Sequence, residues 1–486
     1  MRGSHNLKTA LAAAVALALG ASAASAATIT VASADDDFHA STCNLRNAIA
    51  SFRTGVAQGS CVLVGSDSDT IDFAPALANS TITLARGELT ITGPVIIAGS
   101  GQTIDADYGS RVLYVVNGDL TASDLTLTHG YAGGTGRGGS GAGMYVYSGS
   151  ATLTDVTISD NFALGEGGGI DLDGGSLTLS HATVSGNTSV QSTGGISVYG
   201  TANIGDSTIS GNTGARTGGI AIFSGYSYST VSSIMSIARS TIANNSAVCT
   251  SGPCTGGIYS DFGNFIAVNA SSISGNNASG TIDLATGGMY LSNSVLTLVD
   301  STVAQNGAKG NSKVAGAISH SGTLYGTSVV INATISGNSA ASYNAGSNVQ
   351  SGMLLGYGGD SNLQLRNSII AGNAGGTDLG VSGAGAGMTS SVAGTIANIA
   401  LFNADLTNHF TNAPGLGTLQ NNGGPTQTMA LLPGSVAIDG GKNAFVSTNY
   451  DQRGPGFPRV FNGTVDIGAV EFQGERIFAS GFEPGP

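Results

Sequence analysis

One phrase constrains this chain more than any other feature: a Ser-Gly-Asn triplet followed some residues later by Gly-Gly-Ile, as in SGNTSVQSTGGI from Ser185 to Ile196. Aligned on that phrase, the copies place Asn161, Asn187, Asn212, Asn245, Asn276, Asn306, Asn338 and Asn373 in register. Their spacing runs from 25 residues (Asn187 to Asn212) to 35 residues (Asn338 to Asn373). An earlier degenerate copy, SDLTLTHG at Ser123 to Gly130, lines up with TDVTISDN at Thr154 to Asn161. Each unit holds short alternating segments such as TLTDVTIS and GGIDLDG between Gly, Asn and Ser turns, the signature of a β-solenoid. Helical repeats are excluded, because no window sets apolar residues at i, i+3, i+4 and i+7. The predicted fold is all-β, a parallel β-helix of about eight to ten coils stacked about 4.8 Å apart.

In such a stack the recurring Asn forms a ladder. Its amide bonds the Asn and backbone of the next coil, satisfying groups that a tight corner would otherwise bury unpaired. The Gly-Gly before Ile170, Ile196, Ile220, Ile258 and Met289 is expected to supply permissive backbone at a corner.

Composition agrees with a turn-rich β-protein. Glycine accounts for 77 of 486 residues and only 9% are charged, yet 41% are hydrophobic, which separates the chain from a disordered one. A formal charge of −13 with 16 Lys and Arg excludes nucleic acid as a partner class, since phosphate binding draws on cationic side chains. Residues 1–26 read as a secretory signal peptide: Arg2 and Lys8, an apolar run from about Ala10 to Leu19, then Ala24-Ser25-Ala26. No later stretch approaches the roughly 20 apolar residues of a spanning helix. The expected location is therefore outside the cell, secreted or at its surface. Four cysteines fall in two local pairs, Cys43 with Cys61 and Cys249 with Cys254, which read as two disulfides.

A solenoid needs capped ends. CNLRNAIASF, Cys43 to Phe52, is a helix pattern with Leu45, Ile49 and Phe52 on one face, and is expected to plug the N-terminal end within a cap region spanning 27–109. Repeats are expected over 110–375, a closing segment over 376–474, and a tail over 475–486. Asp35, Asp36 and Asp37 precede the helix and read as a solvated turn or helix-approach cluster, with a Ca²⁺ site as the rival.

The two ends resemble a group of exported bacterial β-helix proteins. CNLRNAI is similar to the C-S-L-R-E-A-I signature at Cys43, Leu45, Arg46, Ala48 and Ile49. GGPTQTMALLPGSVAIDGG (Gly423 to Gly441), with the later DQRG and DIGAVE, resembles the choice-of-anchor Q domain. The middle repeats are similar to polymorphic outer membrane protein and pectin-lyase-like repeats. The resemblance implies a right-handed coil, and suggests a sorting or export tag in the tail RIFASGFEPGP.

Candidate chemistry lies on two columns, one and three residues after the Ile or Met that follows each Gly-Gly. They hold Tyr145 and Tyr147, Asp171 and Asp173, Ser197 and Tyr199, Ala221 and Phe223, Tyr259 and Asp261, then Tyr290 and Ser292. Residues i and i+2 share a strand face about 6.5 to 7 Å apart. The columns read as an outward strip of aromatics and acids, a platform on which extended sugars could stack and bond, with Arg216 in a neighbouring loop. Asp171 and Asp173, with Glu166 one loop away as a third acid, also have the spacing of an inverting glycosidase pair. Elimination chemistry would need Ca²⁺ on these acids and a base such as Arg137 or Arg216. The N-T-D, G-H-G and R-I-K signatures expected of pectate lyases and polygalacturonases are not in the sequence. His129, His181 and His320 sit in different coils and frame no metal site, and His320 is expected to point inward. The predicted function is a non-catalytic, monomeric adhesin-like or glycan-binding scaffold. The alternative is a polysaccharide lyase or glycoside hydrolase working on an extended polysaccharide.

Overall fold

The computed structural model describes residues 28–37, 41–63, 70–134, 136–224, 232–322, 326–344, 347–356, 363–381, 390–393, 396–397, 408–409 and 411–474. The signal peptide (1–26) and tail (475–486) read from the sequence lie outside them. The chain forms a parallel β-helix. One strand type, Thr157–Ser159, pairs in parallel with Thr183–Ser185, and the pairing continues through Thr208–Ser210, Thr241–Ala243, Ser272–Ser274, Thr302–Ala304 and Thr334–Ser336. All coil strands belong to a 34-stranded and an 8-stranded sheet. The central residue of each strand in this series points inward, so Ile158, Val184, Ile209, Ile242, Ile273, Val303 and Ile335 stack as a buried apolar column.

The asparagine ladder runs unbroken from Asn161 to Asn373. Each Nδ2 donates to the Oδ1 of the next Asn at 2.8 to 3.0 Å. Each Nδ2 also donates to a backbone carbonyl of the preceding coil, as Asn161 does to Leu127 and Asn245 to Ile209. The ladder ends where Asn373 donates to Asp378 Oδ1 at 2.7 Å. The residue before each Asn is left-handed, with φ of 66° at Gly186 and 65° at Gly211, which is why glycine recurs there and why Asp160 and Asn244 are its substitutes. The Gly-Gly pairs serve a different need from the one expected. A Cβ on Gly194 would overlap the carbonyl of Thr213 in the next coil, so the pair permits close approach of stacked backbones. A second ladder, of serines, was not read from the sequence: Ser207 N, Ser240 N and Ser271 N each donate to the hydroxyl of Ser240, Ser271 and Ser301 in turn, at 3.1 Å. His320 is buried in the core, its Nε2 2.8 Å from Ser328 Oγ, and burial lowers its pKa to about 4.

Helix Leu45–Thr54 is capped by the Asn44 side chain and packs Leu45 and Ile49 into the core cluster. Cys43–Cys61 and Cys249–Cys254 are disulfides. The acidic run before the helix is not simply solvated. Asp36 is buried and grips Arg46 at 2.6 and 2.9 Å, while Arg46 also donates to the carbonyls of Gly87 and Glu88. Burial of a charged pair demands this full set of partners, which makes Asp36 a clamp on the helix.

At the other end, coil strands extend past residue 375: Thr377–Val381, Ser390–Ala393 and Ile396–Ala397 continue the parallel sheet. The later segment, with an antiparallel pair Leu416–Gln420 and Thr428–Leu431, lies along the flank of the stack. Gln452 accepts from Thr302 and donates to Ser271 O, Thr448 donates to Asp300, Ala469 N donates to Thr334, and Gly468 N donates to Asn367 O. These contacts span four successive coils, so this segment buttresses the side of the helix, where a closing end-piece was expected. At its centre Arg459 is buried against Asp300 and Glu471.

Burial, outweighing Arg459, pushes the Glu471 carboxyl from its ordinary 4.5 up to about 7. A folded pKa raised this way adds stability that is full below about 4.5 and lost as pH climbs through about 7. The buttress should therefore melt at a higher temperature at pH 5 than at pH 8.5. Glu471→Gln should flatten that difference, read as thermal unfolding midpoints across the pH series; an unchanged slope would remove Glu471 from the explanation.

Candidate functional site

Strand register builds the site. Met144–Thr154, Ile170–Ser180 and Ile196–Gly205 lie side by side, with Asp171 between Tyr145 and Ser197, and Asp173 between Tyr147 and Tyr199. The two columns read from the sequence are thus real neighbours. Loops then fold over them. The short 3-10 turn Gly136–Gly139 brings Arg137, and the turn at Gly167, with φ of 59°, presents Glu166. The result is a cleft of about 440 Å³ lined by Tyr145, Asp171, Asp173, Glu166, Tyr199, Arg137, Ser140, Gln191 and glycines 136 and 165.

Each acid in this cleft has a different environment. Asp173 receives the Tyr145 hydroxyl at 2.8 Å and the Arg137 Nε at 2.9 Å. Glu166 receives hydroxyls from Tyr199 at 3.1 Å and Ser197 at 3.3 Å, and burial raises its pKa against those bonds. Asp171 is 4% exposed, and its Oδ1 has no hydrogen-bond partner. Burial first, then the charges of Glu166 and Asp173, hold the Asp171 carboxyl well above the usual carboxylate range. Burial and the bond to Asp173 likewise raise the Tyr145 hydroxyl. The arrangement thus sets one buried acid, whose charged form is disfavoured, beside one ion-paired carboxylate.

The expected exposed strip of tyrosines is corrected by the structure. Tyr145, Tyr259 and Tyr290 are buried, at 1%, 3% and 8% exposure, because loops and neighbouring rings cover them. Tyr199, Phe223, Tyr259 and Tyr290 form a packed row with centroids 4.9, 5.7 and 5.5 Å apart. Arg216 closes this row, lying 4.3 Å over the Tyr259 ring and donating to its hydroxyl. Arg216, Tyr259 and Tyr290 do not line the acidic cleft. Asp261 accepts from Ser224 N and sits in a corner of the backbone, also outside it. Tyr147 lies beneath Arg137, 4.0 Å from its guanidinium carbon.

Arg111 was not singled out by sequence reasoning. It pairs with Glu88 at 2.6 Å and lies 5.0 Å over the Tyr145 ring, backing the cleft from the preceding coil. The signal available was positional: Tyr114 stands in register with Tyr145, one coil before the first column read.

A loose likeness in solved structures is to pectate lyase Pel9A. That crystal structure matches at 17% identity and a TM-score of 0.42, over 92% of this chain and 97% of that one. No family model matches the chain, and no curated protein matches it. Among the described residues, no group of three His, Cys, Asp or Glu side chains is placed to hold a metal ion.

Proposed function

We propose that this chain is an exported β-helix protein that holds an extended glycan across the cleft of Tyr145, Asp171, Asp173 and Glu166. The observation that carries the reading is the cleft itself: register and two loops converge three carboxyls, two phenols and one guanidinium on a concave polar surface beside a long regular flank. The two disulfides support export, since such bonds persist in oxidising compartments. The signal peptide at 1–26, the CSLREA-like and choice-of-anchor Q-like ends and the sorting tail belong to this proposal, with the protein secreted or held at a cell surface as an adhesin-like scaffold.

A hydrolytic reading is favoured by one further observation. Asp171 and Asp173 lie two residues apart on one strand, and their surroundings differ: burial holds the Asp171 carboxyl above the usual carboxylate range, while Asp173 is ion-paired to Arg137. Carboxyls in unlike surroundings are the kind of pair that divides into acid and base. Elimination draws less support, because Arg137 is engaged by Asp173 and Arg216 by Tyr259. The test is a polysaccharide panel incubated with the mature protein, with and without Ca²⁺, followed by new reducing ends and by unsaturated uronate absorbance. If the cleft hydrolyses, Asp171→Asn and Asp173→Asn should each lower turnover at least about 100-fold, the scale of a lost general acid or base. Binding with no product from any substrate would leave recognition alone.

A further inference from the structure

The cleft is acidic without being balanced. Three carboxyls line it against one guanidinium, Arg137, and that guanidinium is committed to Asp173. Glu166 receives only hydroxyls, and among the described residues neither Glu166 nor Asp171 has an ion-pair partner. The nearby cations make their direct contacts elsewhere, Arg111 with Glu88 and Arg216 with the Tyr259 hydroxyl, and act on Asp171 and Glu166 only through space. Asp171 Oδ1 is buried in the lining with no donor. A buried carboxyl oxygen with no donor and no direct ion pair is costly, and natural sites seldom leave one idle.

We propose that the glycan held here carries a primary ammonium, as a 2-amino-2-deoxy sugar does, and that Asp171 with Glu166 is the ammonium's counter-charge. The proposal rests on the glycan reading of the cleft. An ammonium brings three donors and one positive charge in a compact group, so it supplies Oδ1 of Asp171 with its missing donor and compensates the second unpaired acid. On binding, the ammonium favours the ionised form of Asp171, and the charged pair forms inside the cleft. An N-acetyl sugar offers a single amide N–H and no charge. A uronate adds a further anion beside Glu166 and Asp171, and like charges in a poorly solvated cleft repel strongly. The same acids that make the site attractive to an amino sugar therefore select against acidic glycans.

The experiment is calorimetric titration of the mature protein with three oligosaccharides of equal length: glucosamine, N-acetylglucosamine and galacturonate oligomers. Binding of the glucosamine oligomer at least about 10-fold tighter than the N-acetyl form, with the galacturonate weakest, is expected, since a charge-assisted bond is about twice as strong as a neutral one. Asp171→Asn, folded by circular dichroism, should remove most of that preference. Equal binding of the charged and N-acetylated oligomers, or preference for galacturonate, would overturn the ammonium assignment and leave the glycan reading standing. A glucosamine preference untouched by Asp171→Asn would overturn the placement at Asp171. Failure of all three oligomers to bind would overturn both readings together.

Discussion

Replacing Asn245 with leucine should destabilise the β-helix by about 4 kcal/mol, because several buried groups lose partners at once and each costs about 1–3 kcal/mol when orphaned. Asn245 Oδ1 accepts from both the backbone N and the Nδ2 of Asn212, and its own Nδ2 donates to Ile209 O and Asn276 Oδ1. Leucine fills the space and satisfies none of them. The residue sits mid-ladder, with Asn161 and Asn373 at the far ends, so the damage cannot be relieved by fraying of a terminal coil. Denaturant midpoints of Asn245→Leu and of Thr297→Ala, an exposed strand position, make the comparison. The threonine variant should lie within about 0.5 kcal/mol of the parent. Equal effects at both positions would mean that the ladder contributes no more than surface polarity.

The second large effect is expected at Arg459. Its side chain is 1% exposed and bonds Glu471 Oε2 at 3.1 Å, Asp300 Oδ1 at 3.5 Å and the carbonyls of Gly468 and Asp466. Arg459→Met keeps volume and removes the charge, leaving two buried carboxylates uncompensated, which costs about 3–5 kcal/mol. The loss should fall on the buttress before the coils, because Asp300 belongs to the coil stack and Glu471 to the buttress, so the broken contact lies between them. Limited proteolysis should then release a fragment from the region after residue 408 while the coil body stays resistant, read by mass spectrometry of the digest. Simultaneous loss of coil and buttress would show that the two unfold as one cooperative unit.

These two residues also mark how far the sequence reads on its own. Asn245 and its equivalents were legible because a solenoid converts a chain period into spatial register: residues about 30 apart in sequence become neighbours about 4.8 Å apart. The same conversion places Asp171 beside Tyr145 and Asp173 beside Tyr199, since alternation within a strand and stacking between strands are both periodic. The cysteine pairs were legible for a simpler reason, each closing a short loop.

Loops and flank contacts obey no such period. Nothing in the spacing of Tyr145, Tyr259 and Tyr290 announces that they are covered, because the cover comes from Arg111 over Tyr145, Arg216 over Tyr259 and the Tyr259 ring against Tyr290. Arg46 and Asp36 are ten residues apart and meet only because the helix folds back over the first strands. Arg459 lies 159 residues from Asp300, and the DQRG and DIGAVE stretches gain their meaning from the coils they touch. The sequence by itself determined the coil, its core columns and its ladder, which follow from local alternation repeated at a near-constant interval. The tertiary structure alone decided which of the columned residues face a cleft, and that Asp171 lies there buried with one carboxyl oxygen unsatisfied, because burial depends on what other parts of the chain are laid across the strand.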